Sequence, residues 1–255
     1  MTAIDLAAID LAAIEAHLRR APYLHAYELG DLDPAEASHT TWYASDAVDA
    51  VALLYRGLAT PTLVALGDGE LAPQRALLTR LVDELPARFY AHLTPGLAAV
   101  LAPRFACDLL GHNVKMALVR RSAPADAEPL TPADADAALA FYAAAYPTGF
   151  FAPESLARGV FVAVRDARGL AAVAGTHVYS PAMRVAALGS IATRPDARGR
   201  GLAQRVTAAL CHRLQDAIDV IGLNVRADNA AAIACYQKVG FAPRHEYDEW
   251  LVTAR

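Results

Sequence analysis

Ser190-Ile191-Ala192-Thr193-Arg194-Pro195-Asp196-Ala197-Arg198-Gly199-Arg200-Gly201-Leu202-Ala203-Gln204 is the stretch on which the reading of this chain turns. The uncharged run 185–193 reads as a buried strand, a proline-containing loop follows, and a helix begins at paired glycines. Gly199 and Gly201 let the backbone approach a ligand with no Cβ in the way. The first N–H groups of a helix have no partners within it, and the helix dipole adds partial positive charge there. Such a turn suits a diphosphate. Arg194, Arg198, Arg200 and Arg205 place four cations around it, in a chain of formal net charge −4. Other glycine-rich readings fail. A dinucleotide fingerprint needs glycine or alanine where Gln204 stands, and Asp219 precedes its strand instead of following one. The sequence holds no G-x-x-x-x-G-K-[ST] string.

Working outward, strands and helices alternate. A helix is expected over 131–146, with Thr131 as cap and Pro132 at its first position. Strands are expected at 160–165, 170–179 and 185–193, a helix at 201–217, a strand at 220–225, a helix at 229–239 stopped by Gly240, and further strand at 241–253. Strand, helix, strand implies parallel pairing of 185–193 with 220–225. The run S-A-P-A-D-A-E-P-L-T-P from Ser122 marks a linker, which gives domains at 1–121 and 131–255 joined by 122–130. The N-terminal half shows strand candidates at 50–55, 62–66, 88–93 and 114–119 and helix candidates at 72–85 and 96–103. It lacks a glycine-rich phosphate turn. Ile4, Ala8, Leu11, Ile14 and Leu18 form a helical stripe at the start of the chain.

A second block, Asn229-Ala230-Ala231-Ala232-Ile233-Ala234-Cys235-Tyr236-Gln237-Lys238-Val239-Gly240-Phe241, follows the first. Arg198-x-x-Gly201-x-Ala203 resembles the R/Q-x-x-G-x-G/A signature of the GNAT superfamily of N-acyltransferases. The second block is similar to that family's pattern of asparagine, small residues, tyrosine and Gly-Phe. The resemblance covers about residues 130–255. It implies an α/β fold of the α+β type, a mixed twisted sheet whose two central parallel strands splay apart. The N-terminal half is then a second, smaller α/β domain and a candidate degenerate copy of the same fold.

The resemblance also implies a chemistry. Acetyl-CoA or another acyl-CoA is the co-substrate, with no metal. Its pantetheine amides pair with backbone groups at Ile191, Ala192 and Thr193, and its phosphates meet Arg198, Gly199, Arg200, Gly201, Leu202 and Ala203. Asn229 is a helix cap and a candidate cofactor contact. A strand amide at Ile191 or Ala192 serves the oxyanion, and Tyr236 donates a proton to the departing thiolate. The acceptor is an amine of a small molecule, attacking directly in a ternary complex; the alternative is a CoA-binding module without turnover. The base stays open among His177, Glu246, Asp248 and Glu249, since 186–193 contains no acid. Phe150 and Phe151 lie where the family lines its acceptor pocket, and core packing serves them equally well.

Bulk properties agree. A hydrophobic fraction of 55% supports a packed core. The acidic balance argues against nucleic acid as partner. Cys107, Cys211 and Cys235 give neither a disulfide framework nor metal-ligand spacing. No apolar run reaches a membrane span of about 18 residues, and acids interrupt the N-terminal stripe. The sequence therefore reads as cytoplasmic and without a membrane partner. The oligomeric state is open, a homodimer among the options.

Overall fold

The computed structural model describes residues 10–147, 149 and 151–255. They divide into two compact units, 10–114 with 245–255, and 115–244. Helices α1 (Leu11–Leu18) and α2 (Ala26–Asp31) open the first unit. Asp10 caps α1 by accepting from the amides of Ala12 and Ala13, which satisfies N–H groups that the helix leaves bare. Ile14 and Leu18 of the expected stripe are buried; Ile4 and Ala8 lie outside the described residues. Then come β1 (Thr40–Ala44), β2 (Val51–Tyr55), β3 (Thr62–Ala65), α3 (Ala72–Leu81), β4 (Arg88–Leu93), α4 (Ala98–Leu101) and β5 (Phe105–Leu118). β1, β2 and β3 form an antiparallel meander, and β3 pairs with β4 in parallel. Leu54, Leu63, Leu77, Leu78, Phe89 and Phe105 anchor the core of this unit.

The second unit continues with β6 (Glu128–Pro129), α5 (Ala135–Ala145), α6 (Ser155–Arg158), β7 (Val162–Asp166), β8 (Gly169–Ser180), β9 (Val185–Thr193), α7 (Leu202–Leu214), β10 (Val220–Arg226) and α8 (Ala230–Val239), and β11 (Phe241–Ala254) closes the chain. The order β6-β7-β8-β9-β10 is antiparallel up to β9, and β9 and β10 are parallel. α5 lays Ala138, Phe141, Tyr142 and Ala145 on Phe161, Ala163, Val173 and Ala192 of the sheet. Apart from the short β6, the two halves of the chain follow one element order: two helices, a three-stranded meander, a helix, a parallel strand, a helix and a long strand.

Several expectations change in detail. The segment expected as a linker is pinned along α7. Ser122 N donates to Gln215 Oε1 at 2.8 Å, Arg205 Nε to the Asp126 carbonyl at 2.5 Å, and Arg213 to the Ala127 carbonyl at 3.2 Å. β11 is one strand, and its residues 245–255 group with the N-terminal unit, where 248–253 pair with β4. The sequence division at 122–130 therefore differs from the compact units, because strand pairing ignores chain order. β5 starts at Phe105, well before 114; Asp108, Gly111, His112 and Asn113 break the alternation that would have announced it.

Candidate active site

β9 and β10 pair only from Val185↔Val220 to Leu188↔Leu223. β9 runs on to Thr193 and β10 to Arg226, so the strands part at 189–193. On its other side β9 stays paired with β8, through Gly175↔Gly189, Val173↔Ala192 and Ala172↔Thr193. Register shifts at Val173/Gly175 and Thr176/Val178 interrupt that ladder beside the opening, and such irregularities bend a strand. Ser190 sits at φ 50°, a left-handed conformation that a serine keeps only under constraint. Tyr142 supplies part of that constraint by donating its hydroxyl to the Ser190 carbonyl at 2.6 Å. Ile191, Ala192 and Thr193 thus lie on the one stretch of β9 that has lost its β10 partner. The Thr193 carbonyl accepts from Arg198 Nε at 3.3 Å. Thr193 Oγ1 is buried with no hydrogen-bond partner among the described residues, a state that costs about 1–3 kcal/mol until a ligand or water meets it.

Beyond the opening, Gly199 and Gly201 take φ of 75° and 73°. A Cβ on either would meet nothing within 4 Å. The glycines are therefore required by the turn and leave its surface bare. Gly201 is the N-cap of α7 and offers no side-chain cap. The first helical bond runs from Arg205 N to the Gly201 carbonyl at 3.0 Å, and among the described residues nothing accepts from the amides of Gly199, Arg200, Gly201, Leu202, Ala203 and Gln204. A row of unanswered N–H groups at the head of a 13-residue helix favours an anion.

The four arginines do not act alike. Arg194 is consumed by carboxylates: Nη2 lies 2.7 Å from Asp166 and Nε 2.6 Å from Asp196. Its charge is neutralised, which corrects the expectation that it serves the turn. Arg198 and Arg205 bond to carbonyls, of Thr193 and Ala145 and of Asp126, and keep their charge. Arg200 is exposed and makes no hydrogen bond among the described residues. Hydrogen bonding to Arg194 holds the carboxyls of Asp166 and Asp196 below their ordinary range. Groups with lowered folded pKa add stability that is present above about pH 4 and is lost as the pH falls through the folded value. Arg194→Ala is expected to flatten the acid side of the melting-temperature profile; an unchanged profile would show the cluster to be solvated.

Tyr236, on α8, is buried edge-on against Phe241 at 6.2 Å. Its hydroxyl makes no hydrogen bond among the described residues. Desolvation pushes its pKa up, with Cys235 and Tyr146 adding to the effect, so the phenol stays protonated at neutral pH. Asn229 caps α8, accepting from Ala232 N at 3.1 Å. Asp248 and Glu249 are engaged within the N-terminal unit, by His112 at 2.7 Å and His92 at 3.8 Å, while Glu246 is exposed. Phe151 stacks on Tyr142 at 4.4 Å and meets Phe161 at 6.0 Å, a packing role; Phe150 lies outside the described residues. Sequence reading missed the hold of Tyr142 on Ser190, since a buried helix tyrosine carries no mark of its partner.

The opened parallel pair, the bare-amide turn and the helix it heads form the mixed, splayed sheet that the sequence resemblance implies. Residues 126–241 match the model of the acetyltransferase (GNAT) family. Among individual proteins, mycothiol acetyltransferase of Tsukamurella paurometabola is 33% identical over 137 residues, 45% of this chain. The match spans 47% of that relative, about half its length. A solved protein of the GNAT family from Novosphingobium aromaticivorans is 22% identical with a TM-score of 0.64, covering 89% of this chain and 96% of the other. A tandem GNAT protein from the clavulanic acid biosynthesis pathway is 17% identical with a TM-score of 0.55, covering 98% and 97%. The two structural likenesses speak for the fold. No helix among the described residues is long and apolar enough to cross a membrane.

Proposed function

We propose that this protein moves an acetyl or short acyl group from acyl-CoA to an amine of a small-molecule acceptor, by direct attack in a ternary complex. The parted end of β9 and β10, continued by the bare amides of the 199–204 turn, carries the reading. Those amides hold the diphosphate, with Arg198 and Arg200 beside it. The unpaired stretch of Ile191, Ala192 and Thr193 takes the amides of the pantetheine arm as a strand would. Binding at this remote end fixes the thioester carbon for attack. A strand amide at Ile191 or Ala192 faces the oxyanion. As the C–S bond breaks, Tyr236 gives its proton to the sulfur. Asn229 caps α8 and thereby positions Tyr236.

Thiol release from acetyl-CoA, measured against a panel of amino acids, aminosugars and polyamines, tests this. Turnover with any of them supports the reading. Tight binding of acetyl-CoA with no release across the panel favours a CoA-binding module instead.

The N-terminal unit lacks the corresponding opening. β3 and β4 pair along the whole of β3, from Thr62↔Tyr90 to Ala65↔Leu93. Thr94 then clasps the end: its amide donates to the Ala65 carbonyl at 3.3 Å, and its Oγ1 accepts from Gly67 N at 2.9 Å. Pro73 takes the place of an amide in the first turn of α3, and Asp68 and Glu70 precede it, which disfavours phosphate. One acetyl-CoA per chain is the expected calorimetric stoichiometry; two would overturn this account of the clasp.

A further inference from the structure

An amine that attacks a thioester must shed a proton, and β9 carries no titratable side chain along its length. The neighbouring strand supplies one at the opening. His177 of β8 lies over Gly189: a Cβ at residue 189 would come within 2.3 Å of the imidazole Cγ, Cδ2 and Cε1. The glycine leaves room beside the kink for a side chain that β9 itself does not provide. His177 Nε2 is 3.2 Å from Ser190 Oγ, on the residue whose backbone Tyr142 holds in its left-handed conformation. The histidine is solvent-exposed, and its Nδ1 makes no hydrogen bond among the described residues.

We infer that His177 is the general base of acyl transfer, its Nε2–H donating to Ser190 Oγ and its Nδ1 lone pair receiving the proton of the incoming ammonium. This rests on the acyl-transfer reading given above. With Nε2–H turned to Ser190 Oγ, the Nδ1 lone pair is the one left to take a proton. The ammonium N–H bond breaks and its electron pair stays on nitrogen. That pair forms the bond to the thioester carbon; as the C–S bond breaks Tyr236 protonates the sulfur, and the nitrogen sheds its second proton to solvent, from which the Tyr236 phenolate is reprotonated. The imidazolium then returns its proton to water. Desolvation by the packed strand draws the His177 pKa down to about 4, and no charged group acts on it. Solvent on its exposed part opposes that shift. The residues facing it are Gly189 and Ser190, with the Tyr142 hydroxyl beyond the Ser190 carbonyl. The imidazole is therefore neutral at pH 7, and its titration places an acid limb of kcat/KM between about pH 4 and 6.5.

His177→Gln keeps an N–H for Ser190 but cannot accept the proton. With acetyl-CoA and the best amine of the panel, kcat/KM is expected to fall about 100-fold at pH 7. The acid limb should disappear, and acetyl-CoA affinity by titration calorimetry should stay within about two-fold. Added imidazole should restore part of the rate to His177→Ala. A purely structural histidine would shift the melting temperature and leave the limb in place. A His177→Gln enzyme with an intact acid limb and a rate within about three-fold of wild type overturns the assignment alone. A wild type that releases thiol with no amine overturns the acyl-transfer reading, and this assignment with it.

Discussion

Gly201→Glu is expected to abolish measurable acetyl-CoA binding, at least about 100-fold in Kd, which is about 2.7 kcal/mol. The residue stands at the N-cap of α7 with φ 73° and open space where a Cβ would sit. A glutamate therefore folds there at the cost of a left-handed conformation, about 1–2 kcal/mol. Its carboxylate then competes for the amides of 199–204 and repels the incoming phosphates at contact distance. Gly201→Ala separates the two effects: it carries the same backbone cost without the charge, and its affinity should fall only a few-fold. Titration calorimetry with acetyl-CoA checks both variants, with thermal melts to confirm folding. Unchanged affinity in Gly201→Glu would remove the diphosphate from this turn.

The second large effect falls on Tyr236. Tyr236→Phe is expected to lower the single-turnover rate about 100-fold, the lower end of what a general acid contributes, with acetyl-CoA affinity little changed. The ring keeps its packing against Phe241, so the variant loses one oxygen and little else. That oxygen has no partner to orphan among the described residues, and stability should hold. Single-turnover conditions matter, because slow product release would hide the loss of the acid. An unchanged chemical step would show that the thiolate leaves without help from this phenol.

Much of the C-terminal half was legible in the sequence. Its strands and helices carry strong periodic patterns, and Gly199, Gly201, Asn229 and Gly240 mark ends that backbone chemistry dictates locally. The run 185–193 reads as a strand because it is apolar, and the structure puts it at Val185–Thr193. The left-handed turn at Gly199 and Gly201 followed from residue types alone, since only glycine leaves an exposed left-handed backbone unhindered. The N-terminal half was harder. β1 was missed, and β5 began earlier than its pattern allowed, because polar residues within a strand read as loop until a partner strand is known.

What only the tertiary structure decided is which groups remain free. Arg194 and Arg200 are equivalent in a sequence; folding brings Asp166 and Asp196 to the first and leaves the second without a hydrogen bond. β3–β4 and β9–β10 are the same topological pair; Thr94 closes one, while the other parts after Leu188. His177 and Gly189 are distant letters until the irregularity between Thr176 and Val178 in the antiparallel ladder lays one over the other. Local chemistry fixes how each segment turns or extends, because φ preferences and apolar spacing act over a few residues. Which amide, hydroxyl or charge stays unanswered depends on partners far away in the chain, and those are chosen by packing.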